Sequence, residues 1–244
     1  MALTNNDILN LINFTIRKEN KGNPLTRNRF SDLLKIHGLE YYEILYDRYE
    51  QTKEMSDSLR RFKTQKTGLS ELPVSNNKIT LPDDYAHEGT LYYKKDGTDI
   101  KPVYLATDDQ FMMMQASVLD VPTEDYPICR LIDGYIEYRP TTLTTTYFTL
   151  DYLRYPVEAV YDYYIDVNGV TQYLAEGATH TWTAGQIDSS GTPHSSGTYN
   201  SLTKELDFNE EDKLKVAYRI LQAIGVTNDE AGVYQYAQQL KMES

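Results

Sequence analysis

The hydrophobic pattern changes period twice along the 244 residues, and that order of periods constrains the fold more than any motif does. Ile8, Leu11, Ile12 and Ile16 recur at helical spacing, with Thr4 and Asp7 set as in a capping box and Gly22-Asn23-Pro24 as a stop. A first helix is therefore predicted to end near Asn20. A second, longer one follows Pro24 with Thr26 at its N-cap, and it places Phe30, Leu33, Leu34, His37, Tyr41, Ile44, Leu45 and Arg48 on one face. It should end between Tyr49 and Met55. Gly38 inside that pattern costs about 1 kcal/mol relative to Ala, which points to a kink or a close contact there. Ser56 to Phe62 reads as broken helix or turn, with the basic residues Arg60, Arg61, Lys63 and Lys66 clustered there.

The period then falls to two. Lys78 to Thr80 reads as a strand closed by the Pro82 turn, Gly89 to Tyr93 and Lys101 to Leu105 as a hairpin about Asp96-Gly97, and Ile128 to Ile132 with Tyr135 to Tyr138 as another about Asp133-Gly134. Thr107-Asp108-Asp109-Gln110 opens a short helix carrying Phe111, Met112, Met114, Ala116 and Val118, and Thr144 to Tyr155 is a further strand. Val160 to Val167 and Val170 to Ala175 flank Asn168-Gly169, a strong hairpin signal, and lead into a Gly/Ser/Thr-rich run over 177–201 that predicts a mobile tip. Glu205 to Phe208 should close the sheet. Asn209 then caps a helix with Leu214, Ala217, Tyr218, Leu221 and Ile224, Gly225 stops it, and Thr227 to Glu230 caps a last one with Val233, Tyr236, Ala237 and Leu240.

Helices, sheet and helices in that order make an α+β fold, with N- and C-terminal helices packed together, a central antiparallel β-domain and a protruding β-arm. The expected segments are 1–66 (helical), 67–156 (central β-domain), 157–203 (arm and flexible loop) and 204–244 (closing strand and helical pair), all parts of one integrated domain.

Composition narrows the chemistry. Hydrophobic residues at 40% and charged ones at 25% are too apolar for a disordered chain. No apolar run reaches the roughly 20 residues of a membrane helix, and the N-terminus lacks the pattern of an export signal, so no membrane partner is expected. The single cysteine, Cys129, cannot form an internal disulfide and is too few for the usual zinc clusters. His37, His87, His180 and His194 have no metal-ligand spacing, and His194-Ser195-Ser196 does not by itself make a catalytic triad. No phosphate-binding loop, dinucleotide motif or calcium loop is present, and the acid pairs sit where helix caps and turns use them, so no cofactor is expected. The net charge of −12 disfavours tight, sequence-specific DNA binding, while 22 Tyr against 6 Phe and 1 Trp suits half-buried sheets and interfaces where a ring packs and its hydroxyl stays wet. Arg60, Arg61, Tyr173 and Trp182 are the candidate protein-interface residues.

One ordered combination goes further: Leu9 to Asn13, Asn28-Arg29-Phe30 through Glu40-Tyr41-Tyr42, Ser56 through Phe62, Ile79 through Tyr85, and the C-terminal stretches Asp212 to Leu221 and Ala231 to Leu240. Together these resemble the head–tail connector, or adaptor ring, proteins of short-tailed bacteriophages, especially crAss-like and related Bacteroidales phages. The resemblance covers about two thirds of the chain and leaves out 158–203. It implies a non-enzymatic virion protein made in the host cytoplasm and placed at the head–tail junction. Such a protein forms a homo-oligomeric, commonly dodecameric, ring beneath the portal protein. It touches adjacent tail and ring proteins and lets phage DNA pass with transient, non-specific contact. The other readings weighed are a carbohydrate- or receptor-binding tail β-module built around Trp182 and a two-carboxylate glycosidase, which needs convergent acids that the sequence does not display.

Overall fold

The computed structural model describes residues 3–18, 24–54, 56–69, 77–95 and 99–224. The last expected helix, the stop at Gly22-Asn23 and the turn at Asp96-Gly97 lie outside the described residues. The chain divides into two compact units, one of residues 1–59 with 156–244 and one of residues 60–155.

The first unit holds α1 (Asn5–Lys18), α2 (Arg27–Thr52), most of the short α3 (Asp57–Arg60) and, from the far end of the chain, α5 (Glu210–Ala223). At the start of α1 the Thr4 hydroxyl accepts from the Asp7 amide, and the Asp7 carboxylate accepts from the Thr4 amide at 2.9 Å, the reciprocal cap the spacing predicted. Thr26 stands at the N-cap of α2, but its hydroxyl makes no capping bond. The face of α2 that is buried runs through Phe30, Leu34, His37, Gly38, Tyr41, Tyr42 and Leu45; Arg48, expected on it, is exposed. Gly38 marks close packing, since a Cβ there would meet the Leu206 side chain at 3.2 Å.

N- and C-terminal helices do pack together. The Tyr41 hydroxyl of α2 donates to Asp212 Oδ1 at 2.6 Å, and Lys213 Nζ donates to the Leu3 carbonyl at 2.7 Å. Those two bonds turn Asp212 and Lys213 inward, and the buried stripe of α5 becomes Val216, Ala217, Ile220 and Leu221, rotated from the one expected through Leu214 and Tyr218. Glu205 to Phe208 forms no strand. The fully buried Asn5 side chain satisfies that backbone instead, donating to the Lys204 carbonyl (2.9 Å) and accepting from the Leu206 amide (3.2 Å).

The expected arm belongs to this same unit. Its stem is β9 (Tyr163–Ile165) paired with β10 (Thr171–Tyr173) about a turn with Gly169 at φ +78°, as Asn168-Gly169 predicted. The Gly/Ser/Thr run carries β11 (Thr179–Thr181), β12 (Gln186–Asp188), β13 (Pro193–His194) and β14 (Thr198–Asn200). These complete one sheet of order β10-β9-β12-β13 and the ribbon β11-β14, in place of the loose tip that composition suggested.

The second unit contains two four-stranded sheets. In chain order its strands are β1 (Lys63–Thr67), β2 (Lys78–Thr80), β3 (Tyr85–Lys95), β4 (Asp99–Pro102), β5 (Tyr104–Leu105), β6 (Ile128–Ile132), β7 (Tyr135–Arg139) and β8 (Phe148–Arg154), with α4 (Asp108–Ala116) after β5. One sheet has the order β1-β8-β3-β4 and the other β2-β7-β6-β5, antiparallel throughout except for the parallel pair β5–β6. Ile79, Leu91, Tyr93, Cys129, Ile136, Tyr138, Phe148 and Leu150, drawn from both sheets, share one core. Lys63 to Lys66, read as part of the helical segment 1–66, instead pair with β8, so the sheet unit starts at Arg60. In β3 the register against β8 shifts twice before Thr90, and there Gly89 lets the backbones close up, because a Cβ would stand 2.0 Å from the Asp151 carbonyl oxygen.

Candidate interaction surfaces

Asp162 organises the arm. It is 2% exposed, and its carboxylate accepts from the Tyr163 amide, the Ser189 hydroxyl, the Tyr199 hydroxyl and the Leu202 amide at 2.8–2.9 Å. These donors come from the stem, the loop after β12, β14 and the segment that returns to α5, so one side chain ties four stretches of polar sequence together. Burial first, and then the bond to Asp162, push the Tyr199 phenol well above its ordinary pKa.

The two aromatic side chains among the interface candidates are engaged inside their own chain. Trp182 is 5% exposed, stacked on His194 (ring centroids 4.1 Å apart, planes 13° apart) and packed edge-on against His180 and Tyr164. Tyr173 is half-buried, stacks on Tyr161 at 5.1 Å and donates its hydroxyl to Glu205. The arm is thus a packed part of its unit. The buried indole also removes the exposed platform on which a carbohydrate-binding reading of Trp182 rested.

The same neighbourhood contains an acid, a histidine and a serine without the geometry of a triad. His194 Nε2 contacts Asp188 Oδ2 at 2.9 Å, while the Ser190 hydroxyl donates to the other oxygen of Asp188 at 2.6 Å and lies 3.1 Å from the Thr192 hydroxyl. The serine proton is therefore directed at the carboxylate, where no imidazole can take it. Burial opposes ionisation of Asp188, but the bonds from His194, Ser190 and the Thr192 and Ser190 amides outweigh it and hold the carboxyl down at about 2. Among the described residues no three His, Cys, Asp or Glu side chains converge as metal ligands, and no described helix is long and apolar enough to cross a membrane.

Arg60, Arg61, Lys63 and Lys66 are all exposed along the free edge of the first sheet and its lead-in, and Lys63 lies 3.9 Å from Asp151 on β8. An edge strand with lysines resists uncontrolled strand addition, and Lys63 and Lys66, three residues apart, point to opposite faces of it.

A run of exposed apolar side chains lies where the sequence predicted an ordinary amphipathic helix. Thr107 and Gln110 form a reciprocal capping box on α4, and Phe111 is buried with Ala106 and Ile128 beneath the Arg130 guanidinium, 4.8 Å from the ring centroid. Arg130 is itself held by Glu137 at 2.6 Å and Asp108 at 3.2 Å. Phe111 is the only fully buried residue of α4, and Met112, Met113, Val118, Leu119, Val121 and Tyr126 stand in solvent. Met114 packs partly against the Phe111 cluster, but a nine-residue helix cannot hide the rest, and spacing alone did not reveal that Met112 and Met113 stay exposed. A partly open recess of about 170 Å³ lies elsewhere in the same unit, lined by Gly89, Leu91, Leu105, Cys129, Leu131 and Leu150 among others. The Cys129 thiol at this recess is raised to about 12, by burial first and then by the Glu88 charge.

No protein-family model matches the chain, and no curated protein is significantly similar to it.

Proposed function

We propose that this chain is a non-enzymatic assembly protein of a virion. It forms a homo-oligomeric ring at the head–tail junction of a short-tailed bacteriophage, between the portal protein and adjacent tail proteins, with only transient contact to passing DNA. The observation that carries the reading is the exposed apolar group on and after α4, set in a chain of net charge −12. Large apolar side chains left exposed along one short stretch of chain favour a protein contact, whereas the overall acidity would let a duplex pass without gripping it. The ordered resemblance along both terminal helical stretches supplies the virion setting.

Cryo-electron microscopy of the intact particle tests the proposal. Density for this chain in a ring on the portal–tail axis is the expected result, and its absence from that axis overturns it. The purified chain should also show no hydrolase turnover above background; turnover abolished by a single substitution, Asp188→Asn or His194→Ala for instance, would contradict the non-enzymatic assignment.

A further inference from the structure

The 60–155 unit carries an apolar projection and an apolar recess that its own topology keeps apart. Val118 and Leu119 are 92% and 94% exposed, so no described residue covers them. They follow α4, which lies on the face of the second sheet that presents Ile128 and Arg130, since Ile128 packs with Phe111 and Arg130 reaches both Phe111 and Asp108. Successive residues of a strand point to opposite faces, and Cys129 and Leu131 accordingly line the recess on the other face. The same alternation in the preceding segment gives Leu105 to the recess and Ala106 to the helix side.

Size and charge agree with a match between two copies. A cavity of roughly 150 Å³ holds a benzene molecule, so a recess of about 170 Å³ has room for a leucine side chain. Residues 117–126 carry no Lys or Arg; Asp125 is already paired with Lys101, and Asp120 is the acid that adjoins Leu119. The recess has Glu88 in its wall, and Lys66 flanks it: Lys66 pairs with Leu150, and Leu150 with Leu91, so the three stand in one row on one face, with strands about 4.8 Å apart.

We propose that Leu119 of one copy seats in the recess of a second copy of this chain, with Val118 at its rim and Asp120 set against Lys66. The inference rests on the ring reading above and specifies its subunit contact. Because projection and recess are different surfaces, the contact is head-to-tail, the kind that closes into a ring when its rotation permits.

Disulfide trapping on the full chain tests it. Leu119→Cys and Leu131→Cys variants, both at exposed positions, are built on a Cys129→Ser background, because the native thiol lines the same recess and would compete for the cross-link; they are mixed with a size tag on one of them and mildly oxidised. A 119–131 heterodimer in clear excess over the random-collision mixture is expected. Lys66→Glu on the Leu131→Cys chain should lower its yield about threefold, as loss of an exposed ion pair implies, and Asp120→Lys on the other chain should restore it. A random mixture, or an excess indifferent to both charge changes, overturns the proposal. So does Leu119→Cys in assembled particles cross-linking to a foreign protein in place of its own chain. A ring seen in virions without the 119–131 link refutes this contact alone, whereas the link formed by a protein absent from the portal axis refutes the virion reading alone.

Discussion

Asp162 keeps its charge buried by drawing on hydroxyl and amide donors. Asp162→Asn would aim an amide N–H₂ at groups that already donate, and it should cost about 2–3 kcal/mol in urea unfolding, more than an ordinary hydrogen-bond loss. Gly89→Ala should be as damaging, on the order of 3 kcal/mol, because the new methyl meets a carbonyl oxygen that cannot swing away. Gly134→Ala offers the contrast: nothing lies within 4 Å of a Cβ there, and only the positive φ of 76° opposes it, for about 1 kcal/mol. Asp188 gives a pH signature. Its folded pKa, about 2, lies below that of an unfolded aspartate, so its stabilisation is complete above roughly pH 4 and is lost as pH falls towards 2. The gap in unfolding midpoint between the native chain and Asp188→Asn should close across that interval.

At the scale of elements, caps and tight turns were legible because their causes lie within four residues. Thr4 with Asp7, Thr107 with Gln110, Asn209 before α5 and Asn168-Gly169 all behave as their spacing predicts. Failures came where a partner lay far along the chain. Glu205 to Phe208 looks like a strand, but Asn5, 200 residues away, takes the hydrogen bonds a neighbouring strand would have offered. The Gly/Ser/Thr run looked loose because part of its order comes from Asp162, outside the run, and part from the stacking of Trp182 on His194, two rings among many small polar residues. The surface on α4 was missed for the opposite reason, since apolar residues at helical spacing were expected to find a core. Trp182→Ala should therefore cost about 3–5 kcal/mol. Deleting 177–201 should strip Asp162 of Ser189 and Tyr199 and lower the thermal stability of the unit that includes α1, α2 and α5, measured by calorimetry.

Across the whole molecule, the surplus of tyrosine over phenylalanine acquires a physical role. Tyr41 and Tyr152 are raised to about 12, by burial first and then by bonds to Asp212 and Asp84, and Tyr161, Tyr173 and Tyr199 are also raised, burial again leading. A phenol whose folded pKa exceeds its unfolded value of about 10 gives stability that is intact below that pH and is lost as pH climbs through the folded value. Both units should thus weaken above pH 10, and ultraviolet titration should show a late tyrosinate fraction that appears together with loss of circular dichroism. The pairing of β1 with β8 has a mechanical meaning as well. The chain passes into the 60–155 unit just before Lys63 and leaves it just after Leu153, two residues that face each other across neighbouring antiparallel strands, with the Arg154 amide adding a bond to the Phe62 carbonyl at 2.9 Å. Tension applied at those two points pulls the strands apart from one end and opens their bonds one after another, like a zipper. In an optical trap, then, the sheet unit should yield at low force with β1 and β8 parting first, while a load applied between β1 and the hairpin of β6 and β7 would have to shear through the common core.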